Sequence, residues 1–481
     1  MSAVSAVSGR RIDWPVVPLA DQALYLAHTA AGHEAVIQLL WIYRHPIDLD
    51  GLRRFTSHLE QGLLARVIRP SLLPGGRHHW VAAPPSASDL AVGSQPVSRG
   101  DLHAWADAQV QLPLDPARGP AWNLTVQPIT DGSTAVSLVV SHCIADGLAT
   151  IMAVCEAVRG ERRALEDLRP RGRAVSLSRE IRQLVLDGPT TLRALTRAVV
   201  GGATGIGRLA LRRGKSSVRS GRQAPSHASH AHSRAHSHTP SRRSTEREPD
   251  RAVSLPSVSI GVPRSIWSAR VKRAGVSDSA MLTAVAAALG TRLGRVRDGS
   301  VSIMFPVSLR SGSTDNGGNR VSIATLPVSV DALSGPSKDI QRALLAKIRA
   351  TRRGPGGVEA LLPLIPFVPR VLVAAGSNLA FGFSANVPVT CSYVGTFPPD
   401  VLRIDDTEAE EFTFRGVDRR LSERSLERRG GVATLLAGFV RDSMVLTFVA
   451  WQPGAVTDAA RLQTIAGEIL TDYGLRGDVL L

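Results

Sequence analysis

Aromatic side chains make up only 4% of the 481 residues. A reader of single-stranded nucleic acid needs exposed rings on which bases stack, so that class is excluded and no nucleic-acid partner is expected. Cysteine is scarcer still: Cys143, Cys155 and Cys391 are the three in the chain. They show no CxxC spacing and cannot all pair, which excludes a disulfide framework and fits a reducing cytoplasm. Uninterrupted apolar runs of the roughly eighteen residues that a membrane span requires are missing too. The nearest, residues 358–375, is broken by Pro363, Pro366, Pro369 and Arg370, and reads as a buried or interfacial helix. The first eleven residues carry no apolar core ahead of Arg10 and Arg11, so no secretory signal is expected. Acidic residues are in deficit as well, 41 against 57 Lys and Arg, giving a formal charge of +16. That balance suits polyanions, anionic lipid surfaces and phosphorylated co-substrates.

What is there is a folded chain, 43% hydrophobic and 20% charged, too long for one small core. Composition divides it into a flexible leader (1–13), a first lobe (14–211), a linker (212–251) rich in Arg, Ser and His, and a second lobe (252–481). The linker has little to bury and reads as disordered. Its His227, His230, His232, His236 and His238 are potential metal ligands. A solvated basic linker is the preferred reading, and no metal site is expected. On both sides, strands alternate with helices, which predicts an α/β fold of two lobes. Strand-like 34–43 is followed by a helix from Asp50 with Leu52, Phe55, Leu59 and Leu63 at helical spacing. In the second lobe Ser277 or Asp278 caps a helix striped by Met281, Leu282, Val285, Leu289 and Leu293. Stretches 434–440 and 444–451 pair as a hairpin across Arg441-Asp442. His78-His79, in a loop rich in Gly and Pro, is expected to be exposed.

One segment stands out chemically. The apolar run 134–140 reads as a buried strand, and Asp131-Gly132 turns the preceding strand, entered at Trp122, back into it. The run leads into Ser141-His142-Cys143-Ile144-Ala145-Asp146-Gly147, followed by apolar residues at helical spacing through Cys155. A histidine at a strand exit, four residues before Asp-Gly and a helix start, is well placed for chemistry. Neighbouring strand residues point to opposite faces, so neither Ser141 nor Cys143 suits His142 as a nucleophilic partner.

Four stretches, in order, carry a family resemblance. They are Pro113-Leu114-Asp115-Pro116-Ala117-Arg118-Gly119-Pro120-Ala121-Trp122; the 141–147 segment; Pro306-Val307-Ser308-Leu309-Arg310 with Gly318-Asn319-Arg320-Val321-Ser322; and Ser384-Ala385-Asn386-Val387-Pro388. Together the chain resembles the bacterial wax ester synthase/diacylglycerol acyltransferase family, in the superfamily of coenzyme-A-dependent acyltransferases of HHxxxDG type. That superfamily also holds chloramphenicol acetyltransferase, peptide-synthetase condensation domains and polyketide-associated acyltransferases. The resemblance implies two chloramphenicol-acetyltransferase-like lobes with an active-site tunnel between them. Three positions depart from the family pattern: Ser141 replaces the first motif histidine, Ala121 a leucine, and Val389 a glycine.

By that resemblance His142 is the general base on an acceptor hydroxyl that attacks an acyl thioester. Asp146 braces the loop through an ion pair with Arg310, and Gly147 permits close approach at the helix start. Asn319 or a nearby hydroxyl would donate to the oxyanion. Ser141, Trp122, Ser308, Asn319 and Asn386 are candidates for substrate or tunnel contact, with Trp122 favoured as core packing. No cofactor is implied; acyl-CoA is a co-substrate, with diacylglycerol or a long-chain alcohol as acceptor. Two alternatives stand beside this. One is a condensation-type acyltransferase using a carrier-protein thioester and a polyketide or glycolipid alcohol; the other is a lipid-binding relative without turnover. The expected location is cytoplasmic, with peripheral contact at an anionic membrane or lipid-droplet surface through the basic linker.

Overall fold

The computed structural model describes residues 15–32, 34–84, 90–163, 177–217, 250–312, 315–331, 335–354, 357–369, 373 and 387–480. The first half contains helices α1 (Leu19–Ala31), α2 (Leu49–Leu59), α3 (Leu102–Val110), α4 (Gly147–Val158) and α5 (Leu177–Ser217). Its strands are β1 (Glu34–Tyr43), β2 (Arg66–Arg69), β3 (His79–Ala82), β4 (Ala91–Val92), β5 (Trp122–Pro128) and β6 (Thr134–Ser141). Every residue of β6 is buried, because its apolar run lies mid-sheet and α2 and α4 cover one face. Leu52, Phe55 and Leu59 of α2 meet Ile151 and Val154 of α4 and Val136, Leu138 and Val140 of β6 in one core. The β5–β6 pairing runs from Trp122 opposite Val140 to Pro128 opposite Thr134. Gly132 closes the turn at φ 84°, a conformation glycine adopts without a Cβ penalty.

The second half adds β7 (Ala252–Val253), β8 (Ser257–Pro263), α6 (Arg264–Ala274), α7 (Asp278–Arg292), β9 (Val296–Arg297), β10 (Ser300–Ser308), β11 (Val321–Ser329) and α8 (Lys338–Arg352). It continues with β12 (Val389–Thr396), β13 (Glu411–Arg419), β14 (Leu421–Ser422), β15 (Val432–Val440), β16 (Ser443–Trp451) and β17 (Asp478–Leu480). The large sheet runs β11-β10-β12-β15-β16-β8-β17, with β9 paired to β10. Met281, Leu282, Val285 and Leu289 of α7 pack on Val301 and Ile303, together with Leu462 and Ile469 of the helix Ala459–Asp472. Ser277 caps α7 through Ala280 N at 3.3 Å.

The sequence division at the linker does not describe how the sheets are shared. β13, from the second half, forms the edge of the first sheet, in the order β13-β1-β6-β5-β4, with Leu39 opposite Phe414. Polar side chains fix this crossing. Arg415 Nε donates to Gln38 Oε1 at 2.7 Å and Nη2 pairs with Asp107 at 2.7 Å. Arg419, wholly buried, pairs with Glu34. The second half of the chain thus completes the sheet of the first.

Two readings need correction. His78 and His79 are buried, not exposed, because residues 66–69 and 79–82 pair as an antiparallel ribbon that brings them against Tyr25 and the core. The His78 ring meets Tyr25 edge-on at 5.4 Å. In addition, α5 continues through Ser217, beyond the compositional break at Arg212. The leader, most of the linker and its five histidines lie outside the described residues. No helix among the described residues is long and apolar enough to cross a membrane.

Candidate active site

β6 carries the chain to the seam between the halves, and there its backbone is pinned. Ser141 N donates to Ala121 O at 2.9 Å and His142 N to Ala35 O at 3.0 Å. A tight turn, with Ile144 N bonded to Ser141 O at 3.1 Å, redirects the chain into α4. Asp146 is the N-cap: its Oδ1 accepts from Ala149 N at 2.8 Å, which supplies a partner to one of the four unpaired N–H groups of a helix start.

The same carboxylate reaches across the seam. Arg310 Nη2 donates to Asp146 Oδ1 at 2.8 Å and Arg320 N to Oδ2 at 2.9 Å, while Asp146 N donates to Gly318 O at 3.0 Å. Both side chains of the ion pair are 5% exposed. Arg310 also donates to Gly317 O at 3.1 Å and Gly318 O at 2.9 Å. A buried ion pair persists only when its remaining hydrogen bonds are made. The loop after β10 is therefore held against the start of α4, and the structure brings Asp146, Arg310 and Asn319 together around His142.

Asn319 is 3% exposed and grips the histidine from behind. Its Nδ2 donates to His142 O at 2.8 Å and its N to Asp21 Oδ1 at 2.8 Å. It acts on the histidine's main chain, a different place from the oxyanion position expected of it. His142 is itself half-buried, and its buried Nδ1 has no hydrogen-bond partner among the described residues.

The other sequence candidates divide. Ser141 is buried, and its Oγ accepts from Cys143 N at 3.4 Å; the pair forms part of the turn. Ser308 Oγ accepts from Arg310 N at 3.3 Å, helping to set the arginine. Trp122 packs on the first core and donates through its ring N–H to Leu64 O at 3.2 Å. Asn386 lies outside the described residues. Burial pushes the Cys143 thiol up to about 12, so it stays protonated and does not supply a thiolate nucleophile.

Gly147 is not a point of close approach. A Cβ built there meets nothing within 4 Å, because the first residue of α4 faces open space. Close approach occurs at Gly318, where a Cβ would lie 2.8 Å from both Asp21 Oδ2 and Ile144 O.

Two functional candidates escaped the sequence, Asp21 and Arg66. Asp21 is fully buried on α1, and desolvation raises its carboxyl to about 7 even though Arg66 and the bond from Asn319 pull it down. Arg66 of β2, also buried, donates to Asn316 O and to Ile144 O, with its guanidinium 4.4 Å above the Trp80 ring. Burial lowers it to about 10, so it remains a cation at neutral pH. Asp21 Oδ2, Arg66 Nε, Arg310 Nε and Asn319 Oδ1 join His142 Nδ1 as buried polar atoms without a hydrogen-bond partner among the described residues. Each is a lone charge inside an otherwise apolar stretch, a pattern that fits a buried and a surface position alike. The described residues hold no cluster of His, Cys, Asp and Glu that would take a metal ion.

Two α/β halves, a strand of the second half in the sheet of the first and a histidine loop at the seam make a two-lobed fold. No family model matches the chain, and no curated protein does. Solved structures do match. The first condensation domain of the CDA synthetase is similar over 98% of this chain and 99% of its own, at 14% identity and a TM-score of 0.53. Polyketide synthase associated protein 5 from Mycobacterium tuberculosis is similar over 93% and 97%, at 17% identity and a TM-score of 0.50. The EpoB cyclization-docking bidomain from Sorangium cellulosum is similar over 95% and 83%, at 13% and 0.51. At these identities the likeness establishes the fold: the chain has the architecture shared by condensation-type domains.

Proposed function

We propose that this protein is an acyltransferase that moves an acyl group from a thioester to an acceptor hydroxyl, with His142 as general base. The observation that carries this reading is an imidazole whose main chain is pinned at N and O while its Nδ1 lacks a partner. The fold places this histidine through its main chain, and no described residue takes up its Nδ1. With an unperturbed pKa near 6.5, histidine is suited to proton transfer at neutral pH. His142 takes the hydroxyl proton as the acceptor oxygen bonds to the thioester carbon. The tetrahedral oxyanion then collapses, the carbon–sulfur bond breaks, and the proton passes to the departing sulfur. A thiolate leaves readily, so no acyl-enzyme is needed. Fixing both substrates beside the ring supplies much of the remaining acceleration.

Two donors are consistent with this chemistry. The full-length likeness to condensation domains and to a polyketide synthase associated protein supports a carrier-protein thioester, with a polyketide or glycolipid alcohol as acceptor. The four ordered sequence stretches support acyl-CoA as co-substrate, with diacylglycerol or a long-chain alcohol. The deciding experiment supplies the protein with one radiolabelled acyl group, either on CoA or on a carrier protein, against a panel of alcohols. Ester formed from either donor supports acyl transfer and names the donor. Bound acyl chain with no product across the panel would overturn it in favour of a lipid-binding protein without turnover.

A further inference from the structure

Helix α5 is built inside out. A surface helix ordinarily turns its apolar stripe to the core and its polar residues to water. Here the residues facing the protein are mainly polar or small. Glu180, 2% exposed, accepts from Ser71 Oγ at 2.9 Å and from the backbone N–H groups of Leu72 and Leu73 at 3.1 Å. Asp187 pairs with Arg77 at 3.6 Å, and Ala194 is 1% exposed. Their spacing of seven marks one face of a helix with 3.6 residues per turn.

The exposed apolar residues fall on another face, except Leu186, which stands on the side of Arg182 and Arg193. Leu177, Ile181, Val185, Leu192 and Leu195 recur at helical spacing and are 49–69% exposed. On the far side of this stripe lie Arg182, Arg193 and Arg197, also exposed. The apolar surface extends beyond the helix. Leu72, whose N–H is bonded to Glu180, is 65% exposed, and Phe367 is 49% exposed with its ring beside Gly75 in the same turn. The segment Gly357–Phe367 packs along α5.

We infer that this face docks on an anionic lipid surface, with the leucine, isoleucine and valine stripe entering the headgroup boundary and the three arginines meeting the lipid phosphates. An exposed apolar stripe flanked by arginines on one helix is the combination that lies in a bilayer interface, and singly scattered hydrophobics would not make a patch of this extent. The arginine row selects an anionic bilayer over a neutral protein groove. The turn that carries Leu72 is tied to α1, the helix of Asp21. Gln22, next to Asp21 on α1, donates to Gly76 O at 3.1 Å in the turn that carries Leu72. The inference does not depend on the acyl-transfer reading.

Flotation of the full chain with vesicles tests it. Vesicles of phosphatidylcholine alone are compared with vesicles carrying phosphatidylglycerol, for the wild type, for an Ile181→Glu, Val185→Glu, Leu192→Glu variant, and for an Arg182→Glu, Arg193→Glu, Arg197→Glu variant. Circular dichroism and the urea midpoint check that each variant is folded. The wild type should float with anionic vesicles at least about tenfold more than with neutral ones, more weakly as salt rises, and each variant should lose about tenfold or more. Binding unchanged in both folded variants, or lost only on deleting residues 218–249, would overturn the inference. So would a concentration-dependent dimer, abolished by the first variant, in a wild type that does not float; that result would assign the face to a second copy of the chain.

Discussion

Two buried aspartates flank the histidine loop, and the fold treats them in opposite ways. Asp146 is 4% exposed and Asp21 wholly buried, yet Asp146 receives the Ala149 and Arg320 amides and the Arg310 guanidinium. Asp21 receives the Asn319 amide on Oδ1, has no partner on Oδ2 among the described residues, and is raised by burial to about 7. Equal burial therefore gives one group that serves as a rivet and another that is poised near neutrality. The rivet joins the halves of the molecule. The poised group sits behind Asn319, which in turn holds the His142 carbonyl.

Breaking the rivet should have the largest effect. Arg310→Ala leaves the Asp146 carboxylate buried without its counter-charge and should cost about 3–5 kcal/mol, seen as a lower urea midpoint. An Asp146→Ala variant losing as much, and the double variant losing little more than either, would mark the two as one unit. If Arg310→Ala unfolded at the wild-type midpoint, the buried pair would not be the joint between the halves.

Asp21→Asn sharpens the contrast through pH. The folded pKa of Asp21 lies above its unfolded value near 3.9, so its contribution to stability is full below about pH 4. It is lost as pH rises through about 7. The wild type should weaken between about pH 4 and 7 relative to Asp21→Asn and level off above that, measured as the difference in urea midpoints. A parallel dependence in the two proteins would show Asp21 to be ionised throughout, like an ordinary paired carboxylate.

The smallest change in stability belongs to Gly147→Ala. The added methyl meets open space and removes a flexible residue from α4, so stability should stay level or rise by up to about 1 kcal/mol. If substrate passes the helix start, acyl transfer should fall while the midpoint does not. Unchanged turnover would remove Gly147 from the site.

The histidine loop was legible because its signals are local. An apolar run, an Asp-Gly turn before it and an N-capping Asp146 after it each act within a few residues. The hairpin expected at 434–440 with 444–451 was legible for the same reason; it runs from Val432 to Trp451, with Arg441 at φ 48° in its turn. Pairing Asp146 with Arg310 needed the motif order, since 164 residues separate them. The exchange of β13 into the first sheet carried no local mark: an edge strand reads the same whichever sheet it joins. Asp21 and Arg66 were missed because a single charge in an apolar segment looks like a surface position until the fold buries it. The reverse error befell His78 and His79, whose loop composition hid a short ribbon. The outward stripe of α5 is visible as periodicity, but which face meets the protein is decided by Glu180 and its three bonds.

The proposed chemistry turns on His142, and the most direct measurement is acyl transfer from a thioester by the folded His142→Ala protein. Loss of the base should lower the rate by about 10²–10⁴, with the urea midpoint and the anionic-vesicle binding of the wild type retained. An intact rate in that variant would contradict the assignment of His142 as the general base.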